Sequence, residues 1–338
     1  MHTRPLNTIC PLNIENDWKK QLASAISSPA ELLRELELEH LLTEQIKTHS
    51  KFFLRAPQAY VNKINKGDPY DPLLLQILPT LAENKLTGDT DPVGDLHAMP
   101  SSGLLHKYHG RALIITTAAC AIHCRYCFRR HFPYSDAQAL SSQWPTTLDY
   151  LRQHTEIKEV ILSGGDPLVL DDHRLARLCS DLETIPHIKW LRIHTRLPVV
   201  LPARINPSLL GWMQDSRFRI TMVIHANHAN ELGTDEMRVL DSLQNINVTL
   251  LNQSVLLKNV NDNASSLIDL SQRLHDSGVI PYYLHMLDQV QGGLHFDVTH
   301  KKACQLIDNM RDKLPGYLIP KLVIEEKGKS SKTAISYI

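Results

Sequence analysis

The sequence has no excess charge of either sign: 36 lysines and arginines balance 36 aspartates and glutamates. That balance argues against a nucleic-acid face or a membrane-surface patch, since both need a one-signed field. No stretch is apolar over the roughly 20 residues that a helix needs to cross a bilayer. The opening run, MHTRPLNTICPLNIENDWKK, lacks the apolar centre of a secretory signal. Cysteine is sparse too. Of six, Cys10, Cys179 and Cys304 stand singly, which excludes a disulfide framework and leaves them as expected small buried groups. A soluble protein of a reducing compartment, the cytoplasm, is therefore expected.

With 338 residues the chain can bury a large core, and its patterning changes near residue 110. Before that point DWKKQLASAI, SPAELLRELELEHLLTEQI and DPLLLQILPTLAEN carry apolar residues at helical spacing, with Ser28-Pro29 and Asp71-Pro72 as helix starts. A Gly/Asp/Pro-rich connector, LTGDTDPVGDLHAMPSSG, follows. Beyond it the apolar runs ALIITT, EVILSGGD, WLRIHT, FRITMVIHA, NVTLLNQSVLL and VIPYYLHML read as buried parallel strands alternating with helices. About six strand–helix units result, fewer than the eight of a closed barrel. The expectation is a helical region with connector over 1–100 and a partial (β/α)6 TIM-like barrel over 101–338. Chemistry in such folds sits in the loops after the strands' C-terminal ends.

The remaining three cysteines fall in such a loop, directly after ALIITT. Cys120, Cys124 and Cys127 form C-x3-C-x2-C, with Tyr126 before the last. Zinc would need a fourth ligand, which His123 or His131 could supply. A [4Fe–4S] cluster normally takes four cysteines, so three leave one iron open to a substrate or cofactor. The cluster with an open iron is the favoured reading, ahead of a zinc-stabilised binding module.

C-x3-C-x-aromatic-C after the first strand of a partial barrel resembles the radical S-adenosylmethionine (SAM) superfamily, whose open iron is chelated by SAM. Ordered segments narrow this resemblance. CRYCFRRHF, VILSGGDPLVL, RLPVVLPARI, HANHANEL, LLNQSVLLKNVND and PYYLHMLDQVQGGLHF are similar to the lysine 2,3-aminomutase family, over roughly residues 70 to 338. The resemblance implies a [4Fe–4S] cluster, SAM and pyridoxal phosphate (PLP), an external electron donor, and conversion of L-α-lysine to β-lysine. The clostridial members carry a C-terminal extension with extra cysteines. This chain looks like the short bacterial form, which implies a link to elongation factor P and its lysyl ligase; a homo-oligomer is compatible with that reading. Alternatives are an aminomutase for glutamate, or a glycyl-radical activase, which would lack a PLP lysine.

The resemblance also assigns residues. PLP needs a lysine for covalent attachment and cations for its phosphate. The tail IEEKGKSSKTAI offers Lys327, Lys329 and Lys332, and the family register selects Lys332, although the run is poorer in glycine than the family's. Lys107, Tyr108 and Arg111 are implied at the phosphate; the family has arginine at position 107, so the fork-shaped geometry is lost there. Gln253 is implied as a PLP or SAM contact, or else caps a turn. Ser163, Gly164, Gly165 and Asp166 resemble the Gly-Gly-Glu element beside the SAM amino group, with the glycines allowing close backbone approach. His225 ends a strand and either lines the same pocket or is structural. Arg129 is implied for the substrate carboxylate, whereas Arg130 and His131 read as a solvated basic turn. Asp288 and Glu325 match two acidic positions suited to a lysine ammonium; two carboxylates would repel a glutamate side chain.

Overall fold

The structure is a computed structural model that describes residues 17–41, 52–134, 140 and 143–336. Cys10 and the end of the LTEQI run lie outside these residues. Nine strands form one sheet in strict chain order: β1 Leu104–Tyr108, β2 Arg111–Thr117, β3 Glu159–Gly164, β4 Trp190–Thr195, β5 Arg219–Ile224, β6 Thr249–Val255, β7 Ile280–His285, β8 Lys321–Ile324 and β9 Thr333–Ala334. The seven strands β2 to β8 are parallel, while β1 and β9 pair antiparallel at the two edges. The sheet is thus an open, partial barrel.

Four short helices precede the barrel: α1 Asp17–Ala23, α2 Pro29–Glu35, α3 Gln58–Val61 and α4 Pro72–Leu75. Those between strands are α5 Trp144–Gln153, α6 Asp172–Glu183, α7 Leu197–Val200, α8 Pro207–Asp215, α9 Thr234–Asn245, α10 Ala264–Asp276 and α11 His300–Arg311. The six expected strand–helix units are present, closed by the extra strand β8. In α6, Asp171 caps the first turn through the Arg174 amide at 2.9 Å, and Leu175, Leu178, Cys179 and Leu182 form the buried stripe. Burying each such leucine contributes roughly 2 kcal/mol. Cys179 and Cys304 are buried, as their isolation suggested.

The N-terminal helices are shorter than their periodicity predicts. Ser28 and Asp71 do cap α2 and α4. However, α2 stops because Leu36 and Leu38 are both buried, which turns the chain through Glu37 at φ 60°; Pro79 similarly bars extension of α4. Trp18, Leu32, Leu73 and Leu74 share one apolar cluster with Ile114, Leu162 and Ile193 of the barrel. Lys63 crosses to the barrel and donates to the Val199 carbonyl at 2.7 Å and to Glu236 Oε1 at 2.7 Å.

Two features were not foreseen. Residues 104–108, which precede the first expected strand, form β1 of a hairpin whose turn holds Gly110 at φ 76°, a left-handed position that glycine adopts without strain. The tail, read from the sequence only for its lysines, contributes β9 against β8.

Candidate active site

The barrel encloses a cavity of about 380 Å³, whose wall carries the three clustered cysteines, Lys332 and every residue implied for SAM, PLP or substrate, but not His123, His131, Lys327 or Lys329. The cysteine loop follows β2 and is held closely by the end of β3. Gly165 donates its amide to the Thr117 carbonyl at 2.7 Å, and Asp166 donates to Ala119 at 2.8 Å. A Cβ on Gly165 would sit 2.2 Å from the Ala119 carbonyl oxygen, and one on Gly164 2.8 Å from that of Thr117. The two glycines therefore let the cysteine loop approach, a role beyond the expected approach to a ligand. The Asp166 carboxylate is spent within the fold, accepting from Thr195 Oγ1 at 2.7 Å, the Arg196 amide at 2.7 Å and the Leu168 amide at 3.0 Å. What Ser163 to Asp166 offers the cavity is chiefly backbone.

The three thiols suit a multi-iron group. Burial and its neighbours Cys127, Asp166 and Cys124 push the Cys120 thiol up. Burial and Cys124 likewise push Cys127 up to about 11. Thiols so crowded ionise readily only when a strong cationic centre binds them. Among the described residues, no three His, Cys, Asp or Glu side chains converge on the position of a single ion. His123 donates Nδ1 to the Phe53 carbonyl at 2.8 Å and stacks on Phe52, while His131 Nε2 lies 3.0 Å from the Gln291 carbonyl. Neither His123 nor His131, the candidate fourth ligands for zinc, lines the cavity beside the three thiols.

From Arg129, two residues after Cys127, alternating charges form a chain along the wall. Arg129 Nε donates to Asp95 Oδ2 at 2.8 Å, and Lys107 Nζ meets Asp95 Oδ1 at 2.6 Å. Lys107 also reaches Glu325 Oε1 at 3.1 Å, and Lys332 Nζ reaches Glu325 Oε2 at 2.6 Å. Burial opposes ionisation of Glu325, yet the adjoining Lys332 and Lys107 ammoniums hold its carboxyl well below the usual carboxylate range. Asp288 has the opposite balance. Burial and the Glu325 charge push its carboxyl up to about 7, and its Oδ1 is buried with no hydrogen-bond partner. An orphaned, buried carboxyl beside a second acid has the chemistry to accept an ammonium group.

Of the three tail lysines, Lys332 lines the cavity, whereas Lys327 pairs with Asp89 at 2.5 Å and Lys329 is exposed. Arg111 stacks over the Tyr108 ring at 4.8 Å. Its register partner Glu159 instead holds Arg192 at 2.6 Å, which leaves the Arg111 charge for the cavity. Burial and Glu325 push the Tyr108 phenol up, so it stays a neutral donor. Together with Lys107 and Lys332, these groups suit an anionic, phosphate-bearing aldehyde. Gln253 lies on the wall at β6. His225 Nε2 lies 2.7 Å from the Tyr126 hydroxyl, and burial with the Arg196 charge lowers the ring to about 3, so it is neutral.

Some expectations need correction and some residues were missed. Arg130 is not on a solvated turn: it is buried and donates to Glu83 Oε2 at 2.6 Å and to the Gly292 carbonyl at 2.9 Å. Lys107 and Tyr108 lie on β1, and Arg111 begins β2. Asp95, which joins Arg129 to Lys107, carried no signal within its acidic connector. His194 and His285, each with a buried and unpartnered Nε2, did carry one, being polar residues at the ends of predicted apolar strands.

The chain is similar in sequence to several known proteins. A 4Fe-4S single cluster domain matches residues 109–190. The L-lysine 2,3-aminomutase of Escherichia coli K12 is 47% identical over 94% of both chains. The chain belongs to the lysine 2,3-aminomutase family. The family member of Clostridium subterminale is 34% identical, over 95% of this chain and 78% of its own. A radical SAM methyltransferase from Sphaerobacter thermophilus aligns over 65% of this chain and 68% of its own, with TM-score 0.45 and 12% identity. Among the described residues of this family member, no helix is long and apolar enough to cross a membrane.

Proposed function

We propose that this protein converts L-α-lysine to β-lysine by migration of the amino group from C2 to C3. The observation that carries the reading is one cavity whose lining includes three clustered cysteines, Lys332, Arg129, Asp288 and Glu325, in a chain 47% identical to a named lysine 2,3-aminomutase.

In this reading Cys120, Cys124 and Cys127 hold a [4Fe–4S] cluster with one iron open for SAM, beside the backbone of Ser163 to Asp166 and beside His225. Lys332 would tether PLP, Lys107, Tyr108 and Arg111 would hold its phosphate, and Gln253 would contact PLP or SAM. When bound, SAM with the cluster supplies hydrogen-atom abstraction and PLP supplies the conjugation through which nitrogen moves. The chain's own residues fix geometry. Arg129 orients the substrate carboxylate by charge-assisted hydrogen bonds. Asp288 and Glu325 take the distal ammonium, fixing which carbon faces the SAM side. Glu325 pairs with the Lys332 ammonium at 2.6 Å, so it would hold Nζ in place whenever that amine is free and protonated. A glutamate substrate is disfavoured, because its second carboxylate would meet these two acids. Reduction requires an external electron donor.

The cellular role we assign is supply of β-lysine, in the cytoplasm, for the lysyl ligase that modifies elongation factor P. Likeness to the L-lysine 2,3-aminomutases of Escherichia coli and Haemophilus influenzae over 94% of this chain supports the aminomutase activity that this role requires. The test is anaerobic incubation with lysine, SAM and a reductant, followed by chromatographic separation of α- and β-lysine. β-Lysine is the expected product; unchanged α-lysine from fully loaded protein would overturn the reading.

A further inference from the structure

Arg196 directly follows β4 and is 6% exposed. Its Nη1 donates to Cys124 Sγ at 2.7 Å and to the Tyr126 hydroxyl at 2.8 Å. Its Nη2 donates to Gln76 Oε1 at 2.8 Å and to Glu231 Oε2 at 2.7 Å. Glu231 is fully buried and is itself held by the Asn227 amide at 2.8 Å and the His228 amide at 3.1 Å. The guanidinium also lies over the Tyr60 and Tyr126 rings at 5.5 and 5.9 Å. It is therefore fixed from several sides with one nitrogen on a sulfur. Among the described residues, no other side chain donates a hydrogen bond to any of the three clustered cysteines.

We propose that Arg196 is a positioning residue that sets the reduction potential of the cluster through Cys124, with Glu231 as its counterweight. The inference rests on reading Cys120, Cys124 and Cys127 as cluster ligands. One-electron reduction adds negative charge to the irons and their sulfurs, and hydrogen bonds to those sulfurs are among the levers on potential. A charge-assisted donor on the thiolate stabilises the reduced state more than the oxidised one, raising the potential. Arg196 and Glu231 are both buried, so the interaction is poorly screened. Glu231 lies on the far side of the same guanidinium and partly offsets it. The two residues consequently act with opposite signs, which a merely structural ion pair would not do.

The test is an EPR-monitored redox titration of the full-length protein, reconstituted anaerobically, without SAM or lysine. Iron and sulfide contents are matched to the parent before potentials are compared. Arg196→Gln is expected to shift the potential negative, and Glu231→Gln to shift it positive. Arg196→Lys, which keeps the charge but loses the fork, should shift it negative by less than Arg196→Gln. Tyr126→Phe leaves the contact with Cys124 intact and should leave the potential near the parent's. Should Arg196→Gln not load a cluster, Glu231→Gln and Arg196→Lys carry the comparison. Unmoved potentials in the loaded variants, or shifts of one sign for both partners of the pair, overturn the proposal. A parent protein that takes up no iron and sulfide would instead sink the reading of the cysteines.

Discussion

Asp288→Asn separates substrate recognition from fold stability, because the two should change in opposite directions. In the protein without lysine, Asp288 is buried beside Glu325 with an unpartnered Oδ1, and its carboxyl is pushed up to about 7. Raising a carboxyl from its usual value near 4 to about 7 costs the fold about 4 kcal/mol, at ~1.4 kcal/mol per pH unit. The folded state binds this proton more tightly than the unfolded chain does. The cost is therefore absent below about pH 4, grows as pH rises, and is complete above about 7. Asparagine carries no such cost. The variant's advantage in urea unfolding should be larger at pH 8 than at pH 5.5 by about 2 kcal/mol. Lysine binding should move the other way. Removing one partner of a buried ammonium–carboxylate contact costs about 3 kcal/mol, or roughly 150-fold in KM for lysine. Parallel stability profiles together with an unchanged KM would refute the placement of Asp288 at the ammonium.

Lys332→Ala should abolish β-lysine formation and remove the visible absorption of lysine-bound PLP; a fully active variant would exclude Lys332 as the tether. Gly165→Ala introduces a Cβ 2.2 Å from the Ala119 carbonyl oxygen. It should destabilise the protein by about 1–3 kcal/mol and lower iron uptake by disturbing the loop before Cys120, as read by thermal melting and iron analysis. Glu83→Gln removes the carboxylate that Arg125 Nε meets at 2.8 Å and Arg130 Nη2 at 2.6 Å. Leaving two buried cations uncompensated should cost about 3–5 kcal/mol in denaturant unfolding, and an unaltered midpoint would contradict that.

The barrel was legible because buried parallel strands read as continuous apolar runs, and the six predicted segments correspond to β2 through β7. The two edge strands were not, since β9 has two residues and β1 alternates too briefly to register. The site residues on strand ends and loops could be named because they sit where such folds place chemistry. Asp95, Glu83 and Arg196 could not be assigned roles. Their meaning comes from partners distant in sequence: Arg129 and Lys107 for the first, Arg125 and Arg130 for the second, Cys124 and Glu231 for the third. Periodicity reports which face is buried; it does not report which buried charge meets which. The short N-terminal helices illustrate the same limit, as burial of both Leu36 and Leu38 against the barrel ends α2 early.

Iron and acid-labile sulfide measured on protein purified without oxygen bear most directly on the central claim, that three thiolates hold a cluster with an open position. The account expects about four irons and about four sulfides per chain, lost together when Cys120, Cys124 and Cys127 are replaced by alanine. Zinc without sulfide, or iron retained by the triple variant, would contradict it.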